Sequence, residues 1–235
     1  MSPLAVRRPS LPEGDEKRHE VERMFDRVAP SYDRMNRVIS LGLDRGWRRH
    51  TVDELELSPG SLVLDLACGT GDLCNDLTAG GFAAVGVDSS AGMLGAAHAG
   101  VPLVRGDAAR LPIRDANFDG VVCGFALRNF VELTSVFSEI ARVLRRGGRF
   151  AALDATVPSN PLLRAGNALW FRGAVPLLGR ILAHDRQAYS YLPRSTAYLP
   201  TPAVLGDALG EAGFCDARHH TLTGGSVLVL TATRA

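Results

Sequence analysis

Lysine is almost absent. Lys17 stands alone among 26 basic residues, against 25 acidic ones, and the formal net charge is +1. A chain-wide polyanion-binding field is therefore missing, so a general nucleic-acid binder is excluded. Cysteine is scarce: Cys68, Cys74, Cys123 and Cys215 form no CxxC pair. They read as buried thiols in a reducing compartment rather than as a disulfide framework. The six histidines show no HExxH or other metal-ligand spacing, so no metal is expected. No stretch of about 18 uncharged apolar residues exists, so no spanning helix is expected. The N-terminus holds Arg7 and Arg8 but no apolar core of a signal peptide. Internal repeats and low-complexity segments are also missing. The expectation is a soluble, cytoplasmic protein.

What is present suits one α/β domain: 235 residues, 46% apolar and 22% charged. Residues 1–15, with Pro3, Pro9, Pro12 and Gly14, read as a loose tail, and 16–235 as a single domain. Within it, 16–56 is charged, with Met24, Phe25, Val28, Met35, Val38, Ile39 and Trp47 at helix-like intervals, and reads as a cap of two or three helices. Strands are expected at 61–67, 82–88, 101–104, 118–125, 149–154, 214–220 and 226–233, with helices at 90–99, 131–144 and 201–212. Strands alternating with helices predict a doubly wound, mostly parallel sheet. Residues 155–200 form an apolar insertion after the fifth strand.

The most informative segment runs Asp65-Leu-Ala-Cys-Gly69-Thr70-Gly71-Asp72. A strand ending in Gly-x-Gly lets backbone approach a ligand closely, ahead of a helix N-terminus. A dinucleotide fingerprint needs a third glycine at 74, where this chain has Cys74. Asp65 and Asp72 flank the turn and would repel pyrophosphate, but they suit the sulfonium and ammonium groups of S-adenosylmethionine. The second strand ends in Asp88, placed to accept both ribose hydroxyls, a role shared with NAD sites. The third is followed by Gly106-Asp107-Ala108, where a carboxylate and an amide face the adenine edge. Asp107 also reads as the cap of the turn that follows.

These residues resemble the ubiquinone/menaquinone biosynthesis C-methyltransferases, a family of class I, Rossmann-like methyltransferases. The resemblance covers roughly residues 22–230. It rests on Phe25-Asp26, Tyr32-Asp33-Arg-Met35-Asn36, Leu41-Gly42, Trp47-Arg48-Arg49, Asp65–Leu73, Leu111-Pro112, Phe118-Asp119 and Ala126-Leu127-Arg128-Asn129. Arg145–Arg149, Tyr189-Ser-Tyr191-Leu192 and Leu222-Thr-Gly-Gly225 add weaker matches. The Tyr-Asp-x-Met-Asn and Leu-Arg-Asn elements separate this family from methyltransferases at large. The resemblance implies that Thr70, Asp88, Asp107 and Ala108 bind S-adenosylmethionine. Gly124 stands where the family usually has a binding serine, leaving only backbone to make that contact. Other departures are Ala126 for a usual glycine, Asp154-Ala155 for Glu-Phe, and Leu230-Thr231-Ala232 in place of His-x-Gly.

The family methylates a ring carbon of a reduced, prenylated quinone, so a phenolate must be stabilised and a proton removed. Arg128 is the candidate for phenolate stabilisation, since a fixed cation lowers a neighbouring acid's pKa by about 1–3 units. Asn129 and Tyr32 are candidates for positioning a water or the ring hydroxyl. Tyr32 is not expected to abstract the proton itself, its unshifted pKa being about 10. Each has a structural alternative: Arg128 as an ion-pair partner of Asp154 or a helix end, Asn129 as a helix cap, Tyr32 as a core aromatic. His184, His219 and His220 are read as solvent-facing or structural. The insertion 155–200 carries five arginines and one acid, a local +4, beside many leucines, and the segment 57–154 carries −2. A lipid substrate arriving at the basic, apolar part predicts contact with the inner face of the cell membrane. A helical cover of the sheet edge, or a homodimer contact, is the alternative. Demethylmenaquinol is the expected acceptor. The rival readings are methylation of a specialised phenolic or polyketide-type metabolite, and a non-catalytic S-adenosylmethionine-binding protein.

Overall fold

The computed structural model describes residues 14–170, 173, 175 and 195–235. Seven strands form one sheet: β1 (Leu62–Leu66), β2 (Ala83–Asp88), β3 (Leu103–Arg105), β4 (Phe118–Gly124), β5 (Leu144–Ala155), β6 (Phe214–Leu222) and β7 (Val227–Arg234). Their order is β3-β2-β1-β4-β5-β7-β6, and β7 alone runs antiparallel to its neighbours. This is the doubly wound, mostly parallel sheet expected. The chain leaves β1 outward to β2 and β3, then returns to β4 on the other side. That reversal opens a crevice at the C-terminal strand ends.

Central strands have apolar side chains on both faces because helices cover both. Val63, Leu64 and Leu66 of β1 are fully buried, and so is Asp65 between them. Helices α4 (Asp72–Ala79), α5 (Ala91–Ala96), α6 (Leu133–Val143) and α8 (Pro202–Glu211) flank the sheet. In α6, Val136, Phe137, Ile140 and Val143 recur at helical spacing and meet Phe150 and Phe214 beneath.

The cap holds three helices, α1 (Gly14–Val28), α2 (Tyr32–Ile39) and α3 (Asp44–Asp53). Val21, Met24, Phe25 and Val28 make the inner stripe of α1 and pack with Met35 and Met93. Helix α1 starts at Gly14, so the expected tail is two residues too long. Strand β5 starts five residues before the expected Arg149. Leu144 already pairs with Phe118, and the ladder resumes only at Gly120 and Arg149. The Gly147-Gly148 pair absorbs the irregularity: Gly147 has φ +77°, and a Cβ on Gly148 would lie 2.8 Å from the Arg145 carbonyl oxygen. Of the insertion, α7 (Pro161–Leu169) is described, capped by the Asn160 side chain at the Leu162 and Leu163 amides. Arg172, Arg180, Arg186, Arg194, His184, Tyr189 and Tyr191 lie outside the described residues. Among the described residues no helix is long and apolar enough to cross a membrane.

Candidate active site

The turn after β1 is forced into left-handed backbone at Ala67, Gly69 and Gly71. Gly71 has φ +91°, and a Cβ there would sit 2.5 Å from that of Ala99. Only glycine meets both demands. The turn is tied to β2 by the Gly69 amide, which donates to Asp88 Oδ2 at 2.8 Å. Asp88 Oδ1 accepts from the Ser90 amide at 2.8 Å. A carboxylate has about four acceptor positions, so beside the backbone donors at Gly69, Ser89 and Ser90 one remains for a hydroxyl donor. Burial pushes the Asp88 carboxyl above the usual range, while the backbone donors at Ser90, Gly69 and Ser89 pull it back.

A cavity of about 360 Å³ opens at these strand ends. Gly69, Asp88, Asp107, Ala108 and Gly124 line it, as do Tyr32 and Asn129. Seven of the residues singled out in the sequence therefore share one chamber. Gly124 offers only backbone there, and a side chain at that position would meet Leu73 Cδ1 at 2.6 Å. Asp107 Oδ1 accepts from the Ala109 amide at 2.9 Å, making the turn cap foreseen as its alternative role, and the residue also lines the chamber.

Four other candidates do not line the chamber. Asp65 is fully buried, and its Oδ1 has no hydrogen-bond partner, the single such buried side-chain atom among the described residues. It does not line the cavity, so it offers a bound ligand no direct contact. Thr70 is buried, and its hydroxyl donates to Asp33 rather than to the cavity. Gly71 serves the backbone. Arg128 lies behind the wall: Nη1 pairs with Asp154 Oδ1 and donates to the Phe125 carbonyl at 2.7 Å, and Nε donates to Ser195 at 3.1 Å. The ion pair with Asp154, given in the sequence as the alternative to substrate contact, is what forms. Asp72, read as facing a cation, is held by Arg48 at 3.0 Å, which also grips Asp44 and Asp76.

Asn129 Nδ2 donates to the Phe125 carbonyl at 3.3 Å. The turn carrying Arg128 and Asn129 is thus folded onto its own backbone before any helix starts. Tyr32 stacks edge-on to Phe25 at 6.0 Å. Burial raises its phenol above the ordinary value; a hydrogen bond with Asn36 and the charge of Arg128 pull the other way. A phenol raised above its ordinary value keeps its proton at neutral pH.

The sequence predicts a helical cap over 16–56 but not that its first helix roofs the cavity. Helix α1 supplies Arg18, Val21, Glu22 and Phe25 to the cavity. Glu22 pairs with Arg105 at 3.0 Å, Arg18 stands 4.0 Å from Asp107, and Asp26 accepts from Ser90 Oγ at 2.6 Å and the Gly92 amide at 2.9 Å. The lone lysine latches this roof. Lys17 donates to the carbonyls of Arg128 at 3.0 Å and Phe130 at 2.8 Å, and lies 4.0 Å from the Tyr198 ring centroid. Its signal was available, since position 17 falls four residues before Val21 on the apolar stripe of α1. A cation on an apolar stripe needs a buried acceptor.

The donor set fits a cationic nucleoside: a carboxylate at the second strand end, another after the third, close-approach backbone at Gly69, and an unpartnered carboxylate oxygen under the turn. Comparison with known proteins agrees. The model of the ubiE/COQ5 methyltransferase family matches residues 13–234. Demethylmenaquinone methyltransferase of Roseiflexus sp. (strain RS-1) is 41% identical over 232 residues, covering 94% of this chain and 96% of the relative. That of Mycolicibacterium vanbaalenii is 43% identical over 218 residues, covering 92% and 96%. Among solved structures, a chain from the Haloferax volcanii complex of the Trm112 activator with a methyltransferase superposes with TM-score 0.64 at 18% identity, over 89% of this chain and 96% of that one. Haemonchus contortus phosphoethanolamine N-methyltransferase 2, in complex with S-adenosyl-L-methionine, gives 0.61 at 15% over 80% of this chain and 52% of that one.

Proposed function

The chain belongs to the ubiE/COQ5 methyltransferase family, and from that premise we propose that it moves a methyl group from S-adenosylmethionine to a ring carbon of demethylmenaquinol. The observation that carries the reading is the chamber that joins Asp88 and Asp107 to Tyr32 and Asn129 under one helical roof. When bound, S-adenosylmethionine supplies an electrophilic methyl group on a cationic sulfur. Asp88 accepts from a ribose hydroxyl, and Asp107 with Ala108 takes the adenine edge. Gly69 lets the ligand lie against backbone. The α1 roof, pinned by Lys17 and by the Glu22–Arg105 pair, keeps water out and strengthens electrostatic interactions inside.

A neutral hydroquinone carbon is a weak nucleophile, and ionising the adjacent hydroxyl raises its electron density. Tyr32, protonated, donates to a ring oxygen, and Asn129 holds the ring or a water in position. Arg128 supplies positive potential from behind the wall, and its main work is to hold the turn that presents Asn129. Orientation of the two reactants supplies several kcal/mol of the barrier reduction.

Recombinant protein given S-adenosylmethionine and reduced demethylmenaquinone is expected to yield menaquinol, detected by mass spectrometry as the gain of one methyl group. Asp88→Ala is expected to weaken S-adenosylmethionine binding by roughly 100-fold, because a hydrogen bond to a charged acceptor is lost and the Gly69 amide loses the carboxylate that holds the turn. Turnover on short soluble naphthols but not on demethylmenaquinol would favour the specialised-metabolite reading. Cofactor binding without any transfer would favour the non-catalytic one.

The substrate's prenyl tail must reach the site from a bilayer. Leu162 and Leu169 of α7 are 81% and 76% exposed, and Leu41 on the cap is 70% exposed. Trp170, just beyond α7, donates to the Ile39 carbonyl at 3.0 Å, so α7 and the cap present these leucines from adjoining elements. The proposal places this apolar face on the inner surface of the cell membrane. Flotation with liposomes is expected to carry the protein upward. Leu162→Asp with Leu169→Asp should abolish that, and an unchanged flotation would sink the membrane contact.

A further inference from the structure

The cap and the far edge of the sheet converge at a point unconnected with the chamber. His50 lies in the last turn of α3, and Glu54 follows four residues later, on the same face. His220 comes from β6, the edge strand, 170 residues away in sequence. The His50 and His220 Nε2 atoms are 2.8 Å apart, and Glu54 Oε1 is 3.5 Å from His50 Nε2. One ligand atom from each residue lies within 4.8 Å of the other two. We propose that His50, Glu54 and His220 form a binding site for a divalent transition-metal ion, zinc or cobalt in class, that staples α3 to β6.

Ligand chemistry supports this. Two imidazole nitrogens and one carboxylate oxygen are the donors that borderline ions prefer, and three protein ligands leave a fourth position for water. At a metal–nitrogen distance of about 2.0–2.1 Å, tetrahedral donors stand about 3.3 Å apart. The observed 2.8 and 3.5 Å bracket that spacing, and side-chain rotation brings the His220 and Glu54 ligand atoms, within 4.8 Å of each other, to it. All three residues are half-buried, which leaves an entry path for the ion. Their frame is fixed independently: Trp47 of α3 donates to Thr223 Oγ1 at 2.8 Å, and His220 is registered opposite Val229 in the β6–β7 ladder. The bland account of the same atoms is two neutral imidazoles sharing one hydrogen bond, with Glu54 close by chance.

The spacing escaped the sequence reading because a His-x-x-x-Glu pair is common on helices. Its third member arrives only through the order β5-β7-β6. A second trio, Asp33, Asp72 and His98, also brings ligand atoms within 4.8 Å, but it borders the glycine turn, and Asp72 is already held by Arg48. Cys215 is exposed on β6 and is a competing thiol.

The test is titration of the full chain, in a Cys215→Ser background, with zinc and cobalt, with magnesium as the hard-ion control. Calorimetry or competition with a chromophoric chelator reads the stoichiometry. Zinc and cobalt are expected to bind one equivalent per chain and to raise the melting temperature, and magnesium to do neither. His220→Gln, which keeps a hydrogen-bonding side chain, should weaken zinc binding at least about tenfold. Its S-adenosylmethionine binding in metal-free buffer should stay unchanged, which shows that the variant is folded. His98→Ala should leave the zinc isotherm unchanged. Absence of stoichiometric binding overturns the proposal. So does a His220→Gln variant that binds as the parent does, or loss of the site in His98→Ala.

Discussion

Arg128→Ala is expected to lose about 3–5 kcal/mol of stability, because it leaves a buried carboxylate without its cation. Asp154 is fully buried, and Arg128 is 4% exposed. Asp154 Oδ2 accepts from the Arg128 amide at 2.9 Å, and Oδ1 pairs with Nη1. The side chain also closes the loop, since Nη1 reaches the Phe125 carbonyl. Removal would strip three partners from a turn that sits beside the chamber. Loss of activity in this variant would therefore say nothing about chemistry. Urea denaturation should show a large drop in midpoint with little change in slope.

A paired variant separates structure from chemistry. Replacing both members of a buried ion pair with apolar residues is often neutral for stability. Arg128→Met with Asp154→Leu is expected to recover most of the lost stability, leaving a chamber without the guanidinium field. If that double variant turns over demethylmenaquinol at the parent rate, Arg128 has no electrostatic role in the reaction. If it folds and binds S-adenosylmethionine but transfers no methyl group, the Arg128–Asp154 pair is needed for the reaction, through its field or through its hold on the turn that presents Asn129.

How legible this site was depended on sequence distance. Gly69, Asp88 and Asp107 were readable because each sits where an apolar run stops, and the chemistry of a strand end is local. Arg128 was readable as important, but its partner is 26 residues away, and sequence alone left the ion pair and substrate contact side by side. The roof helix was readable as part of the cap, but its contacts with the site were not. Glu22 meets Arg105 across 83 positions and Lys17 meets Phe130 across 113, and neither pairing leaves a periodic trace. In the fold, alternation of apolar runs with helical stripes revealed every strand. The start of β5 escaped because the Gly147-Gly148 bulge reads as a turn between two elements, when the ladder in fact resumes beyond it.

Asp65 leads to the second large effect, and it concerns pH. Its carboxyl is pushed up to about 7, from 3.8, chiefly by burial; the Cys74 thiol donating at 3.2 Å lowers it, and the charge of Asp88 raises it. A folded-state pKa above the unfolded one means that the native protein keeps a proton the unfolded chain releases. The stabilisation is complete below about pH 4 and is lost as pH rises through about 7. Three units correspond to about 4 kcal/mol. Asp65→Asn carries no such charge, and its carbonyl still accepts from Cys74. The variant is expected to match the parent near pH 4 and to exceed it by up to about 4 kcal/mol at pH 8. Denaturation midpoints measured for both proteins across that range decide it, since titrating groups that do not interact with Asp65 cancel in the difference; parallel profiles would remove Asp65 as the source. A fold that retains a destabilising carboxylate at neutral pH has a use for its charge. On the proposed reading, in which S-adenosylmethionine lies against the glycine turn, that use is electrostatic. Asp65→Asn should accordingly weaken binding of S-adenosylmethionine more than that of S-adenosylhomocysteine, which keeps the ammonium but lacks the sulfonium charge.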